Sequence, residues 1–270
     1  MQTRGKALLA GMVLTLLLCA GTCRAGEYTL TMPSFDDGQH QYYHELLRQS
    51  FAAIGHTLTI KPLKDYPFKR IMHMLETGEA SAMYLIRSTD RDRRFVPVNV
   101  GLTNGLIGKR ILLVPPEEVD AFKGVRTLED FRKLNRTAGL GESWFDVDVW
   151  RYNRLPVKTL ADWRLIYEMA AHRDRGIDYF PRGFVEIMGE HDRHHELVIE
   201  PHLMLVYKRD FIIYLSQRDK DLAPVLRKAL VHARESGLMD RLLRKHYKRS
   251  FDALRPEKRR VIRVALPPGM

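Results

Sequence analysis

The stretch Thr57–Arg93, TLTIKPLKDYPFKRIMHMLETGEASAMYLIRSTDRDR, carries the pattern that decides the fold. Thr57 to Ile60 alternates polar and apolar residues, as a strand with one buried face does. Asp65 can cap a helix with Pro67 in its first turn, and Phe68, Ile71, Met72 and Leu75 then recur at helical spacing. Gly78 ends that helix. Ala82 to Ile86 is apolar on both faces, the mark of an interior strand. The same alternation runs upstream. Tyr28 to Met32 reads as a strand, Pro33 to Gly38 as turn chemistry, and Tyr43, Leu47, Ser50 and Ile54 as one helical face closed by Gly55. Strand, helix, strand, helix, strand predicts right-handed crossovers and a mainly parallel sheet.

A second unit follows Ile111 to Val114 and the Pro115-Pro116 break. Thr127-Leu128-Glu129-Asp130 has the form of a capping box. Strands are expected at Thr137 to Leu140, Leu155 to Val157 and Ile177 to Phe180, with helices from Ser143 and from Asp162 through Ala171. Leu203 to Lys208 reads as a strand leading back. Helices are expected at Asp221 to Arg234 and Leu238 to Tyr247, before a basic tail from Arg255.

The first residues read as a secretory signal. Arg4 and Lys6 precede an apolar run from Ala7 to Leu18, and Cys23-Arg24-Ala25 offers a cut before Gly26. The run is short of the ~20 residues that span a bilayer. Both cysteines, Cys19 and Cys23, lie in this segment, so the mature chain has no thiol and no disulfide. Removing Arg4, Lys6 and Arg24 takes the full-chain +11 to +8. A basic balance favours anionic ligands, but its spread over many segments and the export signal argue against nucleic acid.

Most catalytic patterns are missing. His191 and His195 stand at i and i+4, yet Asp192, Arg193 and Glu196 are interleaved, and His194 and His202 complete no metal motif. Gly139-Leu140-Gly141 lacks the later glycine of a phosphate loop, and no G-x-S-x-G elbow occurs. Nothing in the sequence calls for a cofactor. Three stretches look better suited to binding. Arg87-Ser88-Thr89-Asp90-Arg91-Asp92-Arg93 follows a strand, where ligands of open α/β sheets sit. Gly141-Glu142-Ser143-Trp144 joins a strand end to a helix start. Asp178-Tyr179-Phe180-Pro181-Arg182-Gly183 runs a strand into an arginine.

This order of elements, with Phe51-x-x-x-Gly55, Gly78 and Ser88…Arg93, resembles periplasmic solute-binding proteins of the polar amino-acid type. That is the bacterial extracellular solute-binding protein family 3, with the type II periplasmic binding fold. The resemblance implies two α/β lobes joined by two hinge crossings, Ile111 to Val114 and Leu203 to Lys208. Lobe I would be residues 26–110 plus 205–270, lobe II residues 111–204, after a signal peptide at 1–25. It implies a ligand carboxylate on Arg93 with Ser88 beside it, completed by Glu142 and Ser143, and an aromatic wall from Phe35. Trp144 and Arg182 join the site as residues of the same crevice. The family's acceptor for an α-ammonium is replaced by Pro181-Arg182-Gly183, so an anionic solute is expected. The implied role is non-enzymatic capture of a small polar solute in the periplasm by a monomer, for a membrane transporter or sensor. Two alternatives stand beside it. One is a dehydratase-like enzyme on the same fold, with Glu142 or Glu186 as general acid; the other is an interaction protein with a vestigial cleft.

The export reading has a direct test. N-terminal sequencing of the exported protein should give a start near Gly26 and thiol titration should find none; an intact Met1 would refute it.

Overall fold

The computed structural model describes residues 25–34 and 40–268; the signal segment and Phe35 lie outside them. The chain opens with β1 (Glu27–Ser34), α1 (Gln41–Ala53), β2 (Thr57–Lys64), α2 (Phe68–Thr77) and β3 (Ala82–Ile86). β1 and β2 are parallel, and Ser81 N–H donates to the Thr31 carbonyl at 2.9 Å, placing β3 on the other flank of β1. α2 begins two residues later than the Asp65 signal suggests. Pro67 takes the cap position, because Asp65 sits at φ 55° in the left-handed region. Gly78 closes α2 at φ 76°, as expected.

α3 (Thr89–Arg94) and β4 (Val96–Val98) follow, and then β5 (Lys109–Val114). The capping box at Thr127 and Asp130 is formed with both bonds and opens α4 (Leu128–Lys133). β6 (Ala138–Gly141), α5 (Phe145–Tyr152), β7 (Val157–Leu160) and α6 (Leu165–Ala171) build the second unit. They are completed by β8 (Phe180–Gly183), α7 (Ile187–His191) and β9 (Val198–Ile199). The return runs through β10 (Leu203–Val206) into β11 (Phe211–Leu215), α8 (Ala223–Glu235), α9 (Leu238–His246), α10 (Lys248–Leu254) and β12 (Arg260–Arg263).

Two departures shape the sheets. β11, unmarked in the sequence reading, inserts between β3 and β4 and is antiparallel to both, so a three-stranded antiparallel sheet stands beside the parallel pair β1-β2. β12 lies beside β10 in the order β12-β10-β5-β8, with β9 also on β5. The two crossings, β5 and β10, are antiparallel neighbours, Leu205 facing Arg110. One buried cluster joins Leu30, Tyr42, Leu46 and Leu230 of the first unit to Ile166, Phe180, Phe184 and Ile187 of the second. Phe184 meets Phe251 at 5.0 Å between ring centres. A second cluster gathers Trp150, Tyr179, Leu112 and Leu205, with Ile86 at its border.

His40, which enters α1, is buried against Tyr84 at 3.0 Å. Burial, and after it the charge of His44, push its pKa down to about 4, against a bond to the Pro33 backbone. The native state therefore keeps His40 neutral while an unfolded chain protonates near ~6.5. Stability is fully present above that pH and is lost as pH falls towards 4, by about 3 kcal/mol at most. Urea unfolding from pH 7 to 4 should show this loss, and His40→Gln should reduce it; an equal slope in the variant would refute the assignment.

Candidate functional site

The carboxyl end of β3 turns at Arg87 into α3, whose cap is the Ser88 hydroxyl accepting from Arg91 N–H at 3.3 Å. Helical geometry then separates two arginines. Arg91, three residues past the cap, comes back over the strand end and donates to the Ile86 carbonyl. Burial lowers its pKa. Arg93, two residues further on, points to solvent with its side chain 73% exposed, and meets only Asp90 at 3.8 Å. Of the two, Arg91 is the arginine directed inward. Arg87 is held by Asp92 at 2.8 Å and Asn99 at 3.3 Å, and the Tyr214 hydroxyl donates to Asp92 at 2.6 Å.

In the second unit Glu142 and Ser143 are exposed at the turn after β6. Trp144 folds back over Gly141, where an added Cβ would lie 2.5 Å from its indole nitrogen, so the close approach requires glycine. Its ring lies parallel to Phe180 at 5.9 Å. Arg182 fills the space this creates. Its guanidinium carbon stands 4.7 Å from the Trp144 ring centre, 5.0 Å from Phe180 and 5.4 Å from Trp163. Two nitrogens donate to Glu190, each at 2.5 Å. Arg182 is buried, and its expected place as an open anion-binding group is taken by this internal pairing.

Glu186 is the carboxylate left at the surface of this assembly. One oxygen accepts from Gly183 N–H at 3.0 Å and lies 3.4 Å from Arg110 and 3.6 Å from Arg182, yet the side chain remains 26% exposed. Burial pushes its pKa up, but Arg182, Arg110 and the Gly183 N–H outweigh that and hold it below the usual carboxylate range. The charge reaches Tyr43 and Tyr247 of the first unit, helping to raise both phenols. Glu186 thus stands at the seam between the units.

Beneath it, Arg110 at the start of β5 donates to both Asp146 oxygens at 2.7 and 2.8 Å and to the Tyr207 hydroxyl at 2.9 Å. Tyr207 in turn donates to Asp146 at 2.7 Å. This knot ties the first crossing, helix α5 and the end of the second crossing. The sequence reading missed Arg91, Arg110, Asp146 and Tyr207. A signal existed for Arg91, in the Ser88-x-x-Arg91 spacing of a capped first turn. Another existed at Arg182, Glu186 and Glu190, which recur every fourth residue. Among the histidines, His194 stacks on Tyr167 at 3.5 Å, and His191 and His195 lie 6.1 Å apart, edge to face. Among the described residues no group of three potential ligands is placed to hold a metal.

No protein-family model matches the chain, and no curated protein matches it. Solved structures do. An amino acid ABC transporter substrate-binding protein of Streptococcus pneumoniae, bound to L-arginine, is similar over 82% of this chain and 94% of that one, with TM-score 0.58 and 13% identity. An ancestral arginine-binding protein bound to glutamine is similar over 81% and 97%, with TM-score 0.53 and 13% identity. The ancestral amino-acid-binding protein AncCDT-1, a precursor of cyclohexadienyl dehydratase, is similar over 81% and 95%, with TM-score 0.54 and 12% identity. The chain has the two-lobed α/β fold of periplasmic binding proteins.

The buried knot predicts an asymmetry. Asp146→Asn leaves Arg110 buried without its counter-charge and should cost ~3–5 kcal/mol. The double variant Arg110→Met with Asp146→Leu should cost less than the single one. Urea unfolding measures both, and a harmless Asp146→Asn would show that the pair does not organise the crossing.

Proposed function

We propose that the chain reversibly binds a small polar solute carrying an amino group, an amino acid or a close relative, between its two lobes. We take the lobes as residues 26–110 with 205–270, and 111–204, the terminal strand β12 being lent to the second lobe's sheet. The exported chain would work in the periplasm as a monomer and present its solute to a membrane transporter or sensor. The observation that carries this reading is Glu186. It is an ionised carboxylate, partly exposed, seated on the Gly183 N–H where the second lobe faces the aromatic residues of the first. An ammonium gains from such an acceptor through a charge-assisted hydrogen bond. The expectation that Arg182 repels an ammonium loses its ground, since Glu190 and Glu186 neutralise that arginine.

The similar structures with L-arginine and glutamine bound support a zwitterionic or cationic solute over a purely anionic one. The same carboxylate speaks against the dehydratase-like alternative. A general acid needs a carboxyl that keeps its proton near neutral pH. Glu186 is held on the opposite side. The carboxyls raised by burial are Glu200 and Asp210; Glu200 accepts from the Leu203 N–H of its own loop, and Asp210 accepts from Thr103 and Gly105 of the loop before β5.

Titration calorimetry with L-arginine, L-glutamine, L-lysine and L-glutamate tests the reading. At least one should bind, and Glu186→Gln should weaken it by about tenfold or more, with the circular dichroism spectrum unchanged. Failure of all four to bind would reject amino-acid capture; equal affinity in the variant would reject Glu186 as the ammonium acceptor.

A further inference from the structure

Besides β5 and β10, the chain makes a third passage between the lobes, at its C-terminal end. α9 belongs to the first lobe, where Leu242 and Leu243 share a buried cluster with Tyr42 and Leu46 of α1. The Tyr247 ring, next along the chain, stands 5.4 Å from Tyr42. β12, by contrast, runs parallel to β10 in the second lobe's sheet, with Arg260 facing Leu203 and Arg263 facing Val206. It is firmly seated there. Buried Arg259 donates to the carbonyls of Leu254, Glu200 and Leu203 at 2.7, 2.5 and 2.9 Å. Asn153, at the end of α5, exchanges two hydrogen bonds with Ala265 at 2.7 and 2.9 Å.

Between these anchors lies α10. Tyr247, Phe251 and Leu254 stand at helical spacing and pack into the cluster that both lobes share. Phe251 meets Phe184, which follows β8 and is fully buried, at 5.0 Å between ring centres. Towards solvent, Arg249 donates to both oxygens of Asp192, the residue that ends α7, one of them at 2.7 Å. α10 therefore grips α7 with one ring contact and one forked ion pair. α7 starts one residue after Glu186, so whatever holds α7 also holds that carboxylate.

Rotation of one lobe against the other, about the spans at Gly108 and Lys208, has to slide α10 along α7. Sliding exposes the Phe184 ring to water, which opposes the motion. It also parts Arg249 from Asp192, a pair whose side chains are 64% and 38% exposed and which adds orientation more than strength. A loose linker at the third passage would follow the rotation freely. A helix anchored on one lobe and gripping the other does not.

We propose that α10 is a brake on lobe rotation, which holds the resting angle between the lobes and sets how fast solute enters and leaves. This rests on the two-lobed capture reading above and deepens it by naming what regulates that site. Phe251 and Arg249 are positioning residues that act on Glu186 through α7.

Two arms test the brake on the full mature chain. The first needs no solute. Hydrogen exchange followed by mass spectrometry compares the parent with Phe251→Ala. The variant should exchange faster at Gly108 and Tyr207, whose N–H groups are bonded to Gly105 and Gly108, while β1 and β3 keep the parent's rates. Unchanged exchange, or an equal rise throughout the chain, makes Phe251 a packing residue only and overturns the brake. The second arm follows dissociation by stopped-flow tryptophan fluorescence, using whichever of L-arginine, L-glutamine, L-lysine and L-glutamate calorimetry shows to bind. Phe251→Ala should release it roughly tenfold faster. Arg249→Asp, which sets two carboxylates together, should also speed release, and adding Asp192→Arg should restore the parent's rate. Should Phe251→Ala fail to fold, this single and double pair carries the test. If an amino acid binds and leaves every variant at the parent's rate, the brake is overturned and amino-acid capture stands. If none of the four binds, amino-acid capture falls and the exchange pattern alone decides the brake.

Discussion

The buried ion pair of Arg110 and Asp146 is the constraint on which the rest of the structure depends. Each group is almost wholly out of water, with side chains 5% and 6% exposed. Removing two charges from solvent costs several kcal/mol per ion, and only a bidentate geometry with further hydrogen bonds offsets it. The Tyr207 hydroxyl supplies those bonds, accepting from Arg110 and donating to Asp146. Because Arg110 begins β5, Asp146 lies in the first turn of α5 and Tyr207 ends the second crossing, the three can meet only in one arrangement. A hydrophobic contact would tolerate sliding at this place. A buried ion pair does not, so the register of β5 against β10 and the position of α5 are fixed together.

The same logic extends outward by one step. Arg110 reaches Glu186, Glu186 reaches Arg182, and Arg182 closes on Glu190 within a box of aromatic rings. Charges alternate along this chain, so each is stabilised by its neighbours and none is left isolated. Glu186, between the two arginines and on the Gly183 N–H, is the member of this chain that keeps part of its side chain exposed.

Much of the framework was legible because it follows from periodicity. The strands around Thr57 and Ala82, the helix between them and the capping box at Thr127 all stand near where their patterns put them. β11 escaped because Phe-Ile-Ile-Tyr-Leu is apolar throughout and has no alternation to declare it, and its pairing partners lie more than a hundred residues earlier. The site was less legible for a geometric reason. Arg91 and Arg93 are two residues apart in α3, which turns them to opposite faces, and a run of mixed charge does not say which face is inward. Arg182 was read from its place after a strand, without the Glu190 that a helix brings back to it. Which charges remain available at the strand ends depends on tertiary pairing, which sequence position does not reveal. Phe35 lies outside the described residues.

The crossings also have a mechanical consequence. β5 is flanked by β10 and β9 on one side and by β8 on the other, and β10 is itself braced by β12. A strand hydrogen-bonded on both edges bends little, so this plate is a stiff part of the fold. In the two-lobed binding proposed above, flexure would fall on the two short spans that leave the plate, around Gly108 and around Lys208. Gly108 has no room for a side chain there, since a Cβ would lie 2.3 Å from the Tyr207 carbonyl oxygen.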